Sequence, residues 1–177
     1  SIAAGAIEGA ERFARLLRPT HEFVAAWIAL APRLAEADRP KITVVGAGAG
    51  GIEVALAAAH AMKHAGNGAQ VQIVTGGALL PGHSRRVRSL VTAALMREQV
   101  RVIDTVATRI ASGHVELLNS SPLTTDVTLM ASGAAPPPWL HGTGLAQDES
   151  GFLAVDRHLR SVSHEAVFDA GDIASIV

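Results

Sequence analysis

The sequence predicts an α/β domain with a central parallel sheet, helices packed on it and an antiparallel β-meander attached. Three observations carry that prediction. Apolar residues make up 49% of the chain but aromatics only 3%, so the core must be aliphatic, as in helix-on-sheet packing. A β-branched run, Ile42 to Val45, is followed by a glycine cluster at 46–51 and an Ala/Leu-rich stretch. A second apolar run, Val71 to Thr75, then completes a β–α–β unit of about thirty residues.

The elements follow in order. Residues 1–40 read as a helical arm or linker. Phe23, Trp27, Leu30 and Leu34 recur at helical spacing, Pro19 and Thr20 suit a helix start, and Pro40 suits a stop. Residues 41–138 read as the nucleotide-binding domain. Its first helix is expected over Ile52 to Ala65, ended by Gly66-Asn67-Gly68. After the second strand, Gly76 to Gly82 is a loop. Ser84 can cap a helix to about Gln99 with Val87, Leu90, Val91, Leu95 and Met96 on its apolar face. Arg101 to Ile103 is a short strand. Val106, Thr108 and Ile110, then Val115 and Leu117, alternate about a Ser112-Gly113-His114 turn, a hairpin pattern. Val127 to Ala131 is again a strand, and Pro136-Pro137-Pro138 exclude helix and mark a linker. Leu153 to Val155 and Val167 to Ala170 are expected strands of a smaller segment, residues 139–177.

Composition excludes several classes. The formal net charge is -1, which gives no global attraction to nucleic acid. There is no cysteine, hence no disulfide framework, zinc-thiolate site or cysteine nucleophile in this chain. The apolar run Val24 to Ala31 is too short to span a bilayer. The first residue is Ser1, and the chain stops at Val177 just after an apolar stretch. It therefore reads as a piece of a longer protein.

Gly46, Gly48 and Gly51 form G-x-G-x-x-G between a strand and a helix, the loop of a Rossmann-like three-layer domain. The first glycine allows a tight turn, the second lets backbone approach a pyrophosphate, and the third lets helix pack on sheet. The helix head then offers free N–H groups and a positive dipole end. Thr75 stands where an acid usually holds the adenosine ribose. No Asp or Glu lies between Glu53 and Glu98, while Lys63, Arg85, Arg86, Arg88 and Arg97 do. NADH is the expected ligand, with NADPH also allowed. Arg85 and Arg86 oppose the dipole of the helix they begin. Either an anion lies near them or they are solvated.

These patterns together resemble the pyridine nucleotide-dependent FAD oxidoreductases, the pyridine nucleotide-disulfide oxidoreductase superfamily. Gly46-Ala47-Gly48-Ala49-Gly50-Gly51-Ile52-Glu53-Val54-Ala55 resembles their NAD(P)H loop. Thr125-Asp126-Val127-Thr128-Leu129-Met130-Ala131-Ser132-Gly133 through Pro136 resembles their crossover strand. Val167-Phe168-Asp169-Ala170-Gly171-Asp172 resembles their closing motif, whose Gly-Asp binds FAD. Arg18-Pro19-Thr20-His21-Glu22-Phe23 with Trp27, and Leu79-Leu80-Pro81-Gly82, look most like type II NADH dehydrogenase-like proteins. These include the form fused to selenide, water dikinase.

The resemblance implies an NAD(P)H-binding domain that passes hydride from NAD(P)H to FAD in the full-length protein. Gly46, Gly48, Ala49, Gly50 and Gly51 would hold the pyrophosphate. Glu53, placed on the helix's first turn, would reach the nicotinamide or simply complement the helix dipole. Thr75 would touch the ribose, and Ser132 and Gly133 would line the crossover. Residues 139–177 would be a C-terminal remnant of the FAD domain, whose Gly171 and Asp172 would bind FAD only in the full-length protein. Asp169 adds a carboxylate near the flavin. The implied partner is the missing FAD-binding segment, so this chain alone is expected neither to carry FAD nor to turn over. A homodimer and peripheral membrane attachment of the full-length protein are left open; the expected location is cytoplasmic. His60 and His64 share a helix face but lack a third ligand, so no metal is expected.

Two other enzyme classes fit less well. A short-chain dehydrogenase needs a Tyr, and this chain has none. A methyltransferase wants the same missing acid. The alternative that stays open is a non-catalytic Rossmann-type nucleotide-sensing domain. The electron acceptor, and whether a redox cysteine pair exists elsewhere, are not encoded in these residues.

Overall fold

Residues 41–45 form the strand around which the first part of the chain is organised. The computed structural model describes residues 7–131, 133 and 136–177. It divides into two units, residues 1–133 and 134–177.

In the first unit a short helix α1 (Ala10–Phe13) leads into β1 (Ala14–Leu16), α2 (Thr20–Glu36), β2 (Lys41–Val45), α3 (Ala49–Ala65) and β3 (Gln70–Val74). Then come α4 (Arg85–Arg97), β4 (Arg101–Ile103), β5 (Ala107–Ala111), β6 (His114–Leu117), β7 (Ser120–Thr124) and β8 (Val127–Met130). Five strands make a parallel sheet in the order β1-β8-β2-β3-β4. From β2 the chain proceeds to β3 and β4 on one side, while β8 lies on the other. The C-terminal end of β2 is thus the topological switch point, where open α/β sheets bind their ligands.

Strand register explains the three layers. Val44, Ile73 and Leu129 are register neighbours and share the core with α3, together with Ile52, Ala55, Ala58 and Leu95. One residue further on, Val45, Val74 and Met130 point the opposite way. They pack with Ile110 and Val115 of the antiparallel sheet β5-β6-β7. Two-sided burial is why these strands are continuous apolar runs rather than alternating ones. On this second face Gln72 is buried, and its Nε2 donates to Thr43 Oγ1 at 3.0 Å.

Several local expectations are corrected. Residues 1–40 are not wholly helical, because Ala14–Leu16 is an edge strand pairing with Thr128–Met130 of β8. Parallel pairing to an existing strand overrides any propensity of a three-residue segment. The expected face of α2 does pack inward, with Leu34 buried and Phe23, Trp27 and Leu30 beside it. The α3 helix begins at Ala49, three residues before the expected start, so Glu53 falls beyond the first turn. On α4 only Leu95 is fully buried and Val91 packs partly against the core. Leu90 and Met96 are exposed, because they lie off the stripe that the i, i+4 pair 91/95 turns to the sheet. In the meander a register shift between Ala107 and Arg109 puts Ala107 and Ile110 inward and leaves Val106 outside.

The second unit has its own small core of Leu140, Leu153 and Val155, joined by Val167 and Ile173. The proline run enters a single 3₁₀ turn at Pro138–Leu140. Strand β9 (Leu153–Val155) is where it was expected, paired in parallel with β10 (Ala174–Ile176). Val167 to Ala170 is not a strand; only Phe168 makes an isolated bridge, to Arg160. Its neighbours bond instead to the 159–161 turn, through Asp169 N–H to the Leu159 carbonyl and Ser161 N–H to the Val167 carbonyl.

Candidate functional site

The loop after β2 is shaped by two glycines that tolerate no side chain. Gly46 has φ +107°, and a Cβ there would collide with the Ala131 carbonyl at the end of β8. At Gly51 a Cβ would collide with the carbonyl of Gly46 and crowd Ala131 Cβ at 3.0 Å. Strand β8, the loop and the head of α3 therefore touch backbone to backbone.

Gly48 is different. Its φ of -71° suits any residue, and a Cβ there would meet nothing within 4 Å. Gly48, Ala49 and Gly50 are exposed. Gly48 is also the N-cap of α3 and has no side chain to cap with. A helix leaves its first N–H groups without intrahelical acceptors, and here no side chain caps them. The positive dipole end is likewise unopposed, since the first turn carries no acid. Glu53 is exposed on the next turn.

Other expected residues gather along the same edge. Thr75 follows β3 directly and is 8% exposed. Gly133 lies just past β8 and is half-buried, whereas Ser132 lies outside the described residues. The loop from Gly76 to His83 folds back on the glycine turn, and Leu80 joins the core. Arg85 and Arg86 are exposed and Arg88 half-buried at the head of α4, where Ser84 Oγ accepts from Val87 N–H at 3.4 Å. Gly171 and Asp172 belong to the second unit. Both are exposed, and Gly171 has φ +88° with free space around it. In that unit Asp169 Oδ2 is buried without a hydrogen-bond partner.

One residue escaped the sequence reading. The Thr75 hydroxyl donates to Asp104 Oδ1 at 3.0 Å and accepts from the Gly77 N–H at 3.3 Å. Asp104 directly follows β4, the strand adjacent to β3, whose last residue Ile103 pairs with Val74. The acid missing after β3 is thus supplied after β4. The signal was the strand Arg101–Ile103 followed at once by Asp; it needed the strand order to become informative.

A cavity of about 460 Å³ lies elsewhere, lined by Arg12, Arg15, Arg33, Leu34, Ser112 and Asp126 among others. Asp126 and Val127 stand at the start of β8, so this cavity opens at the opposite end of the sheet from the glycine loop. The His60 and His64 rings lie tilted with centroids 4.4 Å apart, and His64 Nδ1 lies 2.8 Å from the His60 carbonyl. Among the described residues no group of three or more potential ligands could hold a metal. None of the described helices is long and apolar enough to cross a membrane.

The sequence pattern of pyridine nucleotide-disulphide oxidoreductases matches residues 5–177. The chain belongs to the pyridine nucleotide-disulphide oxidoreductase family. Its fold is shared with a water-forming NADH oxidase from Lactobacillus brevis bound to NADH, at a TM-score of 0.75 and 20% identity. That superposition covers 98% of this chain and 37% of the oxidase. It is also similar to an NAD-dependent persulfide reductase from A. fulgidus, at a TM-score of 0.73 and 25% identity over 97% of this chain and 31% of that one. The chain thus spans about a third of the length of either structure. No curated protein sequence matches it significantly.

Proposed function

We propose that this pyridine nucleotide-disulphide oxidoreductase chain is the NAD(P)H-binding domain of an NADH dehydrogenase-like flavoprotein. The observation that carries the reading is the uncapped head of α3 at Gly48, open to space at the switch point of a parallel sheet. Backbone N–H groups of Gly48, Ala49, Gly50 and Gly51 would hold the pyrophosphate there, aided by the helix dipole. Gly46 and Gly51 shape the turn and bring α3 against β8. Thr75 borders the adenosine ribose. Ser132 and Gly133 would line the crossover toward the nicotinamide, and exposed Glu53 lies on α3 one turn beyond its head.

A nicotinamide dinucleotide held by these residues would supply hydride chemistry toward a flavin, and the protein's part would be position and polarity rather than a side-chain base. The residues fit a dinucleotide, since the loop leaves room at Gly48. For FAD the described residues offer the exposed Gly171-Asp172 turn, which would contribute together with the remaining flavin segment. The buried, unpaired Asp169 oxygen is consistent with a polar group arriving there from outside this chain.

Calorimetric titration of this chain with NADH and with NADPH tests the reading. Heat from at least one nucleotide is expected. No heat from either overturns it.

A further inference from the structure

We infer that Asp104 is the residue that makes this site select the unphosphorylated adenosine ribose, and hence NADH over NADPH. The inference rests on the nucleotide-binding reading above.

The carboxylate is held in place from several sides. Thr75 N–H donates to the Ile103 carbonyl at 3.0 Å and Gly76 N–H to the Thr105 carbonyl at 2.9 Å. The chain leaving β3 is therefore bonded on both flanks of Asp104. Thr105 N–H also closes back on the Ile103 carbonyl at 3.1 Å, making Asp104 the centre of a three-residue turn that projects its side chain. Thr105 Oγ1 in turn donates to the Leu118 carbonyl at 3.1 Å, fixing the turn to the meander. Against this frame the Thr75 hydroxyl spends its one proton on Asp104 Oδ1. Asp104 itself is exposed, and Oδ1 bonded to Thr75 leaves Oδ2 to face solvent.

The position matches the chemistry. In a Rossmann-like sheet the adenosine half lies past the strand that follows the glycine helix, here at Thr75. A carboxylate only accepts hydrogen bonds, and a ribose 2′,3′-diol offers two O–H donors for short, charge-assisted bonds. A 2′-phosphate would bring about -1.5 to -2 charge against the same oxygens. Bringing like charges together in a partly desolvated site is strongly unfavourable. Arg85, Arg86 and Arg88, at the head of α4, are the groups that would favour the opposite choice. Among the described residues no hydrogen bond or ion pair holds their side chains in place, whereas Asp104 is clamped.

The test is a paired titration of the chain with NADH and NADPH, for wild type and Asp104→Asn. Wild type should bind NADH roughly tenfold or more tightly than NADPH, the size expected of one like-charge contact. Asp104→Asn keeps an acceptor for Thr75 but removes the charge, so the ratio should fall to within about threefold, mainly by tighter NADPH binding. As a measurement that needs no variant, wild type should bind ADP more tightly than adenosine 2′,5′-bisphosphate. Wild-type preference for NADPH, or an unchanged ratio in a folded Asp104→Asn, overturns this inference while leaving nucleotide binding intact. Failure of both nucleotides to bind instead removes the parent reading, and this one with it.

Discussion

The Leu80 N–H donates to the carbonyl of Ala47 at 3.0 Å, pinning the loop after β3 onto the glycine turn after β2. Leu80 does this in the left-handed region, at φ 47°, with its side chain 4% exposed. A bulky residue held there must be compensated by its burial. Leu80→Ala keeps the N–H but empties the core position, at a cost of about 2–5 kcal/mol. The melting temperature should drop by roughly 10 °C, at about 2–4 °C per kcal/mol for a chain of this size. Nucleotide affinity should weaken with it, because the turn loses its brace. An unchanged melting curve by circular dichroism would show that Leu80 anchors nothing.

The glycines should separate into two kinds. Gly48→Val places its side chain in open space, so the fold should survive while nucleotide binding is lost. Gly51→Val collides with the Gly46 carbonyl, so it should unfold the first unit or yield insoluble protein. Far-UV dichroism and calorimetry on both variants check this. Equal behaviour of the two would contradict the division between ligand space and packing space.

Asn67 acts as a clasp for a different helix. Its Nδ2 donates to the carbonyls of Leu34, Ala35 and Ala37 at 2.6, 3.2 and 3.1 Å, satisfying the C-terminal end of α2 from the turn after α3. Asn67→Ala should destabilise the chain by about 1–3 kcal/mol, the cost of leaving such groups unpaired. Hydrogen exchange should speed up first at the C-terminal turn of α2. Exchange confined to other regions would argue against the clasp.

The second unit should show an acid-sensitive carboxylate. Asp148 is held below the ordinary aspartate range, first by a hydrogen bond from the Ser175 hydroxyl and then by backbone N–H groups of Phe152, Ser150 and Gly151. A folded-state pKa below the unfolded value stabilises the fold above the unfolded pKa. That stability is lost as pH falls through the folded one. The loss should therefore begin near pH 4, the ordinary aspartate region, and continue below it. Ser175→Ala should move the Asp148 titration upward toward the ordinary value, read by carboxyl carbon NMR. A titration curve identical to wild type would exclude Ser175 as the main cause.

What the sequence revealed follows physical rules of range. The unit β2–loop–α3–β3 was legible because strand runs, glycines and helix spacing all lie within about thirty neighbouring residues. The meander was legible as a turn with alternation. Its inward Ile110 and Val115 were legible too, but Val106 was misplaced because the shift at Ala107/Arg109 leaves no local mark. Strand β1 was invisible, since Ala14-Arg15-Leu16 has no pattern of its own and becomes a strand only by pairing with residues 128–130. The Thr75–Asp104 pair was hidden for the same reason: 29 residues separate them in sequence, and only the placement of β4 beside β3 unites them.

The edge strand β1 also bears on how this domain can be dissected. A version trimmed to start at Lys41, where the glycine-loop strand begins, would strip β8 of its outer neighbour. The row of amide and carbonyl groups on Thr128–Met130 would then be left bare, and a bare row of this kind recruits strands from other molecules. Self-association of such a trimmed protein would thus report a missing border strand rather than a native interface.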